Sequence, residues 1–177
     1  MSADADAHMV DAGARRWTSL AGKIGYGVAL ATVLADQLSK FAILRIIDLP
    51  ERGPINLLPV LSLTMVWNPG VSFGLLRSEG VVGRLALAGF ALAVVTALAW
   101  WTRRTPRVLT AVGLGLVMGG AVGNNLVDRL RFGRVADFID VSGLGFFPWV
   151  FNVADSAITV GVAILLVDSL RRTDPAR

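Results

Sequence analysis

Four long apolar stretches, joined by short segments that carry most of the polar residues, set the pattern of this chain. They cover about residues 24–47, 85–101, 108–127 and 150–167. A helix needs about 20 apolar residues to cross the ~30 Å hydrocarbon core of a bilayer, and each stretch comes close to that length. The pattern therefore predicts an all-α membrane protein with four transmembrane helices.

The segment between the first two stretches, at residues 55–79, has a different periodicity. Residues 60–67 are rich in β-forming side chains that partly alternate, and the turn signal Asn68-Pro69-Gly70 follows them. Residues 71–76 are apolar enough to lie at the membrane surface. We expect a short strand and a surface segment here, within one membrane domain over residues 16–171. Residues 1–15 and 172–177 are expected to be disordered tails.

Composition agrees with a membrane protein and narrows the chemistry. Of the 177 residues, 54% are hydrophobic and 17% are charged, whereas a soluble domain is about 45–50% apolar and about 25% charged. The chain has no cysteine, and its one histidine, His8, lies in the N-terminal tail. Disulfides, thiol nucleophiles, Cys/His zinc sites and a histidine base are therefore excluded. Any catalysis must rely mainly on carboxylates.

Basic residues predict the orientation of the four helices. Three clusters fall on one side if the chain crosses four times: Arg15, Arg16 and Lys23; Arg103, Arg104 and Arg107; Arg171, Arg172 and Arg177. The positive-inside rule makes that side cytoplasmic, together with both termini. The bias is modest, because the other side carries Arg45, Arg52, Arg77, Arg84, Arg129, Arg131 and Arg134. The net charge of +4 is thus a signal of orientation rather than of nucleic-acid binding.

Several polar residues interrupt the apolar stretches and need partners, because an acid near the bilayer centre costs roughly 2.5–3.5 kcal/mol. Asp36 and Lys40 are spaced i,i+4 and can form a salt bridge on one helix face. The third stretch holds two amides and a series of small residues that permit close helix packing: Asn124, Asn125, Gly115, Gly119 and Gly123. Each group fits either a structural role or a place beside a site.

Acids from separate segments converge on one end of the predicted bundle. Asp36 lies toward the outer end of the first helix, Asp137 follows the third helix and Asp155 begins the fourth, while Asn68 and Asn152 belong to the same layer. Asp155 could simply cap the fourth helix together with Asn152. Two acids at one depth, without a usable His or Cys, indicate a pair that shares a proton. One carboxylate takes a proton from water while its protonated partner donates to a scissile carbonyl.

Two other functions compete with a hydrolase on these residues. Asp36, Lys40, Asp128 and Asp155 could form the relay of a small ion or proton carrier. A carrier needs acids spread through the depth of the membrane, whereas the acids here gather toward one face. A non-catalytic scaffold would tolerate the loss of both Asp137 and Asp155.

Four sequence blocks, in order, resemble the bacterial lipoprotein signal peptidase (signal peptidase II) family over roughly residues 36–166. The blocks are Asp36-Gln37-Leu38-Ser39-Lys40, Asn68-Pro69-Gly70-Val71-Ser72-Phe73-Gly74, Gly119 to Asn124 with Asp128-Arg129 and Asp137-Phe138, and Phe151-Asn152-Val153-Ala154-Asp155-Ser156. The resemblance implies four transmembrane helices with a small β-sheet and a membrane-surface helix on the non-cytoplasmic side. It also implies an intramembrane aspartyl endopeptidase of the bacterial inner membrane, with its active site near the outer face.

The resemblance also implies roles for individual residues. Its catalytic dyad falls on Asp137 and Asp155, and its substrate-binding residues fall on Asp36, Lys40, Asn68, Asn125, Arg129, Asn152 and Ala154. Asp36 and Lys40 would be supporting polar groups, and Asp128 would be structural. The implied substrate is a prolipoprotein that is cut on the amino side of its diacylglyceryl-modified cysteine. No metal, cofactor or nucleic acid is implied, the remaining partners are membrane lipids, and the expected state is a monomer.

One block departs from the family pattern. The family usually has Gly-Asn, two residues and then Asp-Arg, whereas Gly123-Asn124-Asn125-Leu126-Val127-Asp128-Arg129 is one residue longer. Either asparagine could be the family residue. We prefer Asn125, because it keeps the family spacing to Asp128 and Arg129.

Overall fold

The computed structural model describes residues 19–69, 80–145 and 150–171. Four helices in this part of the chain are long and apolar enough to cross a membrane: Leu20–Ile46, Gly80–Arg104, Val108–Phe132 and Val153–Leu170. A four-stranded antiparallel sheet adjoins one end of the bundle, which we name the sheet end. The predicted fold, four membrane helices with a small sheet, is confirmed. The predicted tails and the surface segment at residues 71–76 lie outside the described residues.

The helices include two segments with π-helical geometry at the sheet end. Numbered along the chain, they are α1 (Leu20–Phe41), continued by a π-helix (Ala42–Ile46); α2 (Leu49–Arg52); α3 (Gly80–Arg104); α4 (Val108–Ala121), continued by a π-helix (Val122–Asp128) and α5 (Arg129–Phe132); and α6 (Val153–Leu170). A π-helical turn holds one more residue than an α-helical turn and often marks a functional site.

Several helix ends differ from the bounds that hydropathy predicts, and three of them lie at the sheet end. The third span runs to Phe132 rather than residue 127, because the charges of Asp128 and Arg129 find polar partners inside the protein. The second span begins at Gly80 rather than residue 85, with Arg84 in its first turns beside Gly133. The fourth helix begins at Val153, because residues 150–151 form a strand instead.

Small residues allow α4 to lie at the centre of the bundle, against both α1 and α6. A Cβ atom added to Gly115 would meet the carbonyl oxygen of Gly25 on α1, and one added to Gly119 would lie 2.6 Å from that of Ala29. Gly120 faces the carbonyl oxygen of Ala154 on α6 in the same way. The close helix approach predicted from the glycine spacing is confirmed, and it brings the polar residues that follow α4 beside both neighbouring helices.

The sheet has the order β1-β2-β3-β4, formed by Ile55–Leu58, Leu61–Asn68, Val135–Asp140 and Val150–Phe151. Strand β2 lies where the sequence predicts a strand, at residues 60–67. Strand β3, at residues 135–140, was not predicted. In the β2–β3 register, Val66 pairs with Asp137 and Asn68 pairs with Val135. Asn68 and Asp137 are therefore diagonal neighbours on one face of the sheet.

A small apolar cluster attaches the sheet to the end of α1. Ile43, Leu49 and Phe138 are buried together, and Ile47, Ile55, Leu63, Met65 and Ile139 pack around them. Phe138 and Asp137 are neighbours on β3, so their side chains point to opposite faces of the sheet. Burial of Phe138 in this cluster consequently turns Asp137 toward the helices that carry the remaining polar residues.

Candidate active site

Asp137 and Asp155 reach the site from two different kinds of element. Asp137 lies in the middle of β3, and Asp155 is the third residue of α6. Asn152 caps α6: its Oδ1 accepts from the amide of Asp155 at 3.0 Å, and its own amide donates to Asp155 Oδ2 at 3.2 Å. The capping box considered from the sequence is therefore present, and it fixes one oxygen of Asp155.

The side chain of Asn152 also connects the two acids. Its Nδ2 donates to Asp137 Oδ1 at 2.7 Å and lies 3.2 Å from the carbonyl oxygen of Ala136. Since Asn152 is fully buried, these bonds form away from solvent and hold its amide in one orientation. One residue thus contacts the carboxyl groups of both Asp137 and Asp155.

Asp137 is buried, and its environment favours the protonated form. Burial raises the pKa of its carboxyl from 3.8 to about 7, and the nearby charge of Asp155 acts in the same direction. Hydrogen bonds from Asn152 and from Asn68, whose Nδ2 lies 3.1 Å from Asp137 Oδ2, oppose this rise in pKa, as does the charge of Lys40. A large fraction of Asp137 therefore keeps its proton near neutral pH.

A buried ionic cluster of Lys40, Asp36 and Asp128, which we name the Lys40 cluster, lies next to the two acids. The ammonium nitrogen of Lys40 is 2.8 Å from Asp36 Oδ2 and 2.7 Å from Asp128 Oδ2, and all three side chains are at most 2% exposed. Asp36 Oδ1 accepts from the amide of Ala154 at 3.1 Å, and Gln37 donates to both carboxylates. The predicted Asp36–Lys40 bridge is thus present, as part of a cluster that joins α1, the segment after α4 and α6.

Asn124 links the Lys40 cluster to the acids. Its Oδ1 accepts from Lys40 Nζ at 2.8 Å and from Asn152 Nδ2 at 3.0 Å, while its Nδ2 donates to Asp155 Oδ1 at 2.8 Å. Asn125, the residue preferred from the sequence, instead accepts from Arg129 Nε at 3.0 Å, and Arg129 Nη1 donates to the carbonyl oxygen of Pro69 at 3.2 Å. Asn124 therefore contacts an acid of the pair, whereas Asn125 contacts Arg129.

The sequence analysis left Asn124 open as an alternative to Asn125 and gave Gln37 no role, and both residues belong to this network. The sequence block from Gly123 to Arg129 is one residue longer than the family pattern, and this extra residue was the sequence signal for Asn124. The π-helix at Val122–Asp128 accommodates it, because a π-helical turn holds one residue more than an α-helical turn. That turn lets adjacent amides point in different directions, with Asn124 toward the acids and Asn125 toward Arg129. The structure brings the other predicted residues, Asp36, Lys40, Asn68, Asn152 and Ala154, together with the two acids.

Among residues 19–69, 80–145 and 150–171, no group of three or more His, Cys, Asp or Glu side chains is placed to hold a metal ion. The arrangement offers a buried, partly protonated carboxyl, a second carboxyl that is partly buried, and a set of amides that fixes both. Such a pair can donate a proton from one acid while the other accepts one.

Comparison of the sequence with known proteins finds a matching protein family. The sequence model of the family described as "Signal peptidase (SPase) II" matches residues 28–171. A "Lipoprotein signal peptidase" of Caulobacter vibrioides is 53% identical over 148 residues, which is 84% of this chain and 87% of that protein. A protein of the same description from Methylobacterium sp. is 44% identical, over 83% of this chain and 88% of its own.

Solved structures agree with the fold. A bacterial membrane enzyme solved by the in meso method at 2.3 Å resolution superposes with a TM-score of 0.77 at 25% identity, covering 90% of this chain and 94% of its own. A second such enzyme, solved at 1.9 Å, gives a TM-score of 0.73 at 26% identity, over 89% of this chain and 99% of its own.

Proposed function

Since the chain belongs to the signal peptidase II family, and is thus a peptidase that removes signal peptides from prolipoproteins, we propose that it is an aspartyl endopeptidase whose catalytic carboxyls are those of Asp137 and Asp155. The observation that carries this proposal is the contact of Asn152 with both acids. Two carboxyl groups held by one buried amide residue can supply the general acid and the general base for hydrolysis of a peptide bond.

The reaction follows from the different environments of the two acids. Asp155, which is partly buried, is the proposed general base and takes a proton from a water molecule whose oxygen attacks the scissile carbonyl carbon. Asp137, which keeps its proton near neutral pH, donates it to the carbonyl oxygen. When the tetrahedral intermediate collapses, the carbon–nitrogen bond breaks and Asp155 gives its proton to the leaving amine. Asp137 then recovers a proton from the intermediate's hydroxyl, so the pair returns to its starting state.

The proposed substrate is a prolipoprotein with a diacylglyceryl-modified cysteine, cut on the amino side of that residue. The leaving amine is then the new N-terminus of the cysteine. The lipid would hold this residue at the membrane boundary, and the two acids lie at that depth, next to the end of a spanning helix. We place this site on the outer face of the bacterial inner membrane, with both termini cytoplasmic, on the strength of the basic clusters.

Burial separates the proposed binding residues into two groups. Asn68 and Asn125 are partly exposed and can contact the substrate directly. Asp36, Lys40, Arg129, Asn152 and Ala154 are at most 2% exposed, so we assign them to holding the site in shape. Ala154, for example, contributes its backbone amide to Asp36.

The test is cleavage of one purified lipidated precursor by the wild type and by Asp137→Asn and Asp155→Asn. Each change is nearly isosteric, and we expect turnover to fall by roughly 10²–10⁴-fold or more, because either change removes an essential acid or base. Asp140→Asn is the matched control, since Asp140 is on the same strand but outside the acid pair and bonds to Ser142. Normal turnover by Asp137→Asn or Asp155→Asn in folded protein would refute the assignment.

A further inference from the structure

A second cavity at the sheet end is separate from the acid pair. It has a volume of about 210 Å³ and lies between the end of α1, α2, β2 and α5, and neither Asp137 nor Asp155 lines it. Pockets for drug-sized ligands measure roughly 300–1,000 Å³, so this one fits a small polar group rather than a whole lipid or peptide.

Two arginines flank this cavity, from α5 and from the π-helix that continues α1. Both Arg45 and Arg131 are exposed, and in the described part of the chain neither forms an ion pair with a carboxylate. The third basic residue of the wall, Lys40, is already neutralised by Asp36 and Asp128. The cavity therefore carries an excess of positive charge, which favours an anionic ligand.

Aromatic side chains form another part of the wall, and one of them fixes an arginine. The rings of Trp67 and Phe132 pack with their centroids 5.5 Å apart, and the guanidinium of Arg131 lies over the Phe132 ring at 4.9 Å. Such a contact holds an arginine in place while leaving its N–H donors free for an oxyanion such as a phosphodiester. Tryptophan and arginine together are typical of the boundary between membrane and water.

An apolar path leads from the cavity along the membrane-spanning part of α1. Phe41 lines the cavity, and Leu38 and Leu34 follow it at helical spacing on an exposed face. A ligand with a phosphodiester head at the arginines would thus have its hydrocarbon chains against this stripe. A free phosphate would gain nothing from the stripe, so the surroundings favour a lipid.

We propose that this cavity binds the headgroup of an anionic phospholipid, with Arg45 and Arg131 on the phosphodiester and an acyl chain along Phe41, Leu38 and Leu34. Neither proposed catalytic acid lines this cavity, and the proposal does not depend on the peptidase mechanism. It accounts for arginines that the positive-inside rule does not expect at this end of the bundle.

The experiment measures lipid retained by the purified full-length protein, by native mass spectrometry after exchange into micelles with equal phosphatidylglycerol and phosphatidylcholine. The wild type should retain phosphatidylglycerol preferentially, and Arg45→Gln/Arg131→Gln should lower that preference roughly 10- to 30-fold, the effect expected for two basic side chains at a lipid phosphate. The matched control is Arg52→Gln/Arg134→Gln, which removes the same charge from exposed arginines outside the cavity, and it should keep the preference.

Two further arms make the result decisive. Arg45→Lys/Arg131→Lys keeps both charges and should retain most of the preference, which identifies charge rather than misfolding as the cause of any loss. Inorganic phosphate at millimolar concentration should not displace the lipid. Equal retention of both lipids by the wild type, equal loss in the two glutamine variants, or displacement by inorganic phosphate would each overturn the proposal.

Discussion

Two asparagines, Asn152 and Asn124, hold the acids of the site in place by hydrogen bonds. Asn152 contacts Asp137 through its side chain and Asp155 through its backbone, and Asn124 fixes the other oxygen of Asp155. An amide is suited to this role because it donates and accepts at once. Asn124 uses both functions, accepting from Lys40 while donating to Asp155.

Removing Asn124 should therefore disturb both the acids and the Lys40 cluster. Asn124→Ala leaves Asp155 without its side-chain donor and Lys40 with one acceptor fewer, and an unmade buried hydrogen bond costs about 1–3 kcal/mol. We expect cleavage of the lipidated precursor to fall at least about 10-fold, since the orientation of Asp155 is no longer fixed.

The neighbouring asparagine supplies the control for this prediction. Asn125→Ala removes a bond to Arg129 but none to the acids, so any loss should appear mainly as a raised KM rather than a lowered kcat. The reverse outcome, full kcat in Asn124→Ala and lost kcat in Asn125→Ala, would show that the two residues have been assigned in the wrong order.

How much of the site the sequence could predict differs between residues. Asp137, Asp155, Asn68 and Asn152 stand in recognisable blocks, and within one helix or strand the spacing along the chain determines which residues share a face. The choice between Asn124 and Asn125 depended instead on where a helix changes from α to π geometry. Asp128, the last residue of the π-helix, pairs with Lys40 on another helix, and spacing along the chain does not reveal such tertiary contacts.

At the scale of elements, the glycines of α4 decide how the bundle closes. Gly115 and Gly119 meet backbone carbonyls of α1, and Gly120 meets one of α6. Because the obstructing atoms are backbone, a side chain at these positions cannot be accommodated by a change of rotamer. The helix that carries Asn124 can therefore approach α1 and α6 only while these positions remain small.

Gly115→Ala should destabilise the protein by about 1–3 kcal/mol, the usual cost of adding a carbon where the packing has no room. Gly89→Ala on α3 is the control, because a Cβ there meets nothing within 4 Å and alanine has the better helix propensity. Thermal unfolding in detergent should show a lower Tm for Gly115→Ala and an unchanged or higher Tm for Gly89→Ala. Equal Tm values would contradict the proposed packing.

The sequence predicted long elements better than short ones. Apolar stretches of about 20 residues are long enough to span a membrane, and all four were predicted correctly as spans. Only the ends of the helices differ from the prediction, as at Asp128, whose charge is paired inside the protein. Strand β3 was not predicted because Asp137 interrupts a short apolar run and its partner strand, β2, lies 69 residues away at the Asn68–Asp137 contact. Non-local pairing of this kind leaves little trace in local periodicity.

At the scale of the whole molecule, the fold brings together an acid on a sheet and an acid on a membrane helix. The apolar cluster around Phe138 fixes the sheet against α1, and the Lys40 cluster ties α1, the segment after α4 and α6 together. Asp137 is thereby held in a buried position near the charge of Asp155, and both conditions favour its protonated form. The central claim is that one acid of this pair carries a proton near neutral pH.

The most direct test is an infrared titration of the purified protein with ¹³C-labelled aspartate carboxyls. We expect a protonated carboxyl band that disappears with a pKa of about 7 and is missing in Asp137→Asn. Asn68→Ala should move this pKa upward, because Asn68 donates to the ionised carboxylate, whereas Asn56→Ala, on an exposed part of β1, should leave it in place. A carboxyl band that persists in Asp137→Asn, or no protonated carboxyl near neutral pH, would contradict the account.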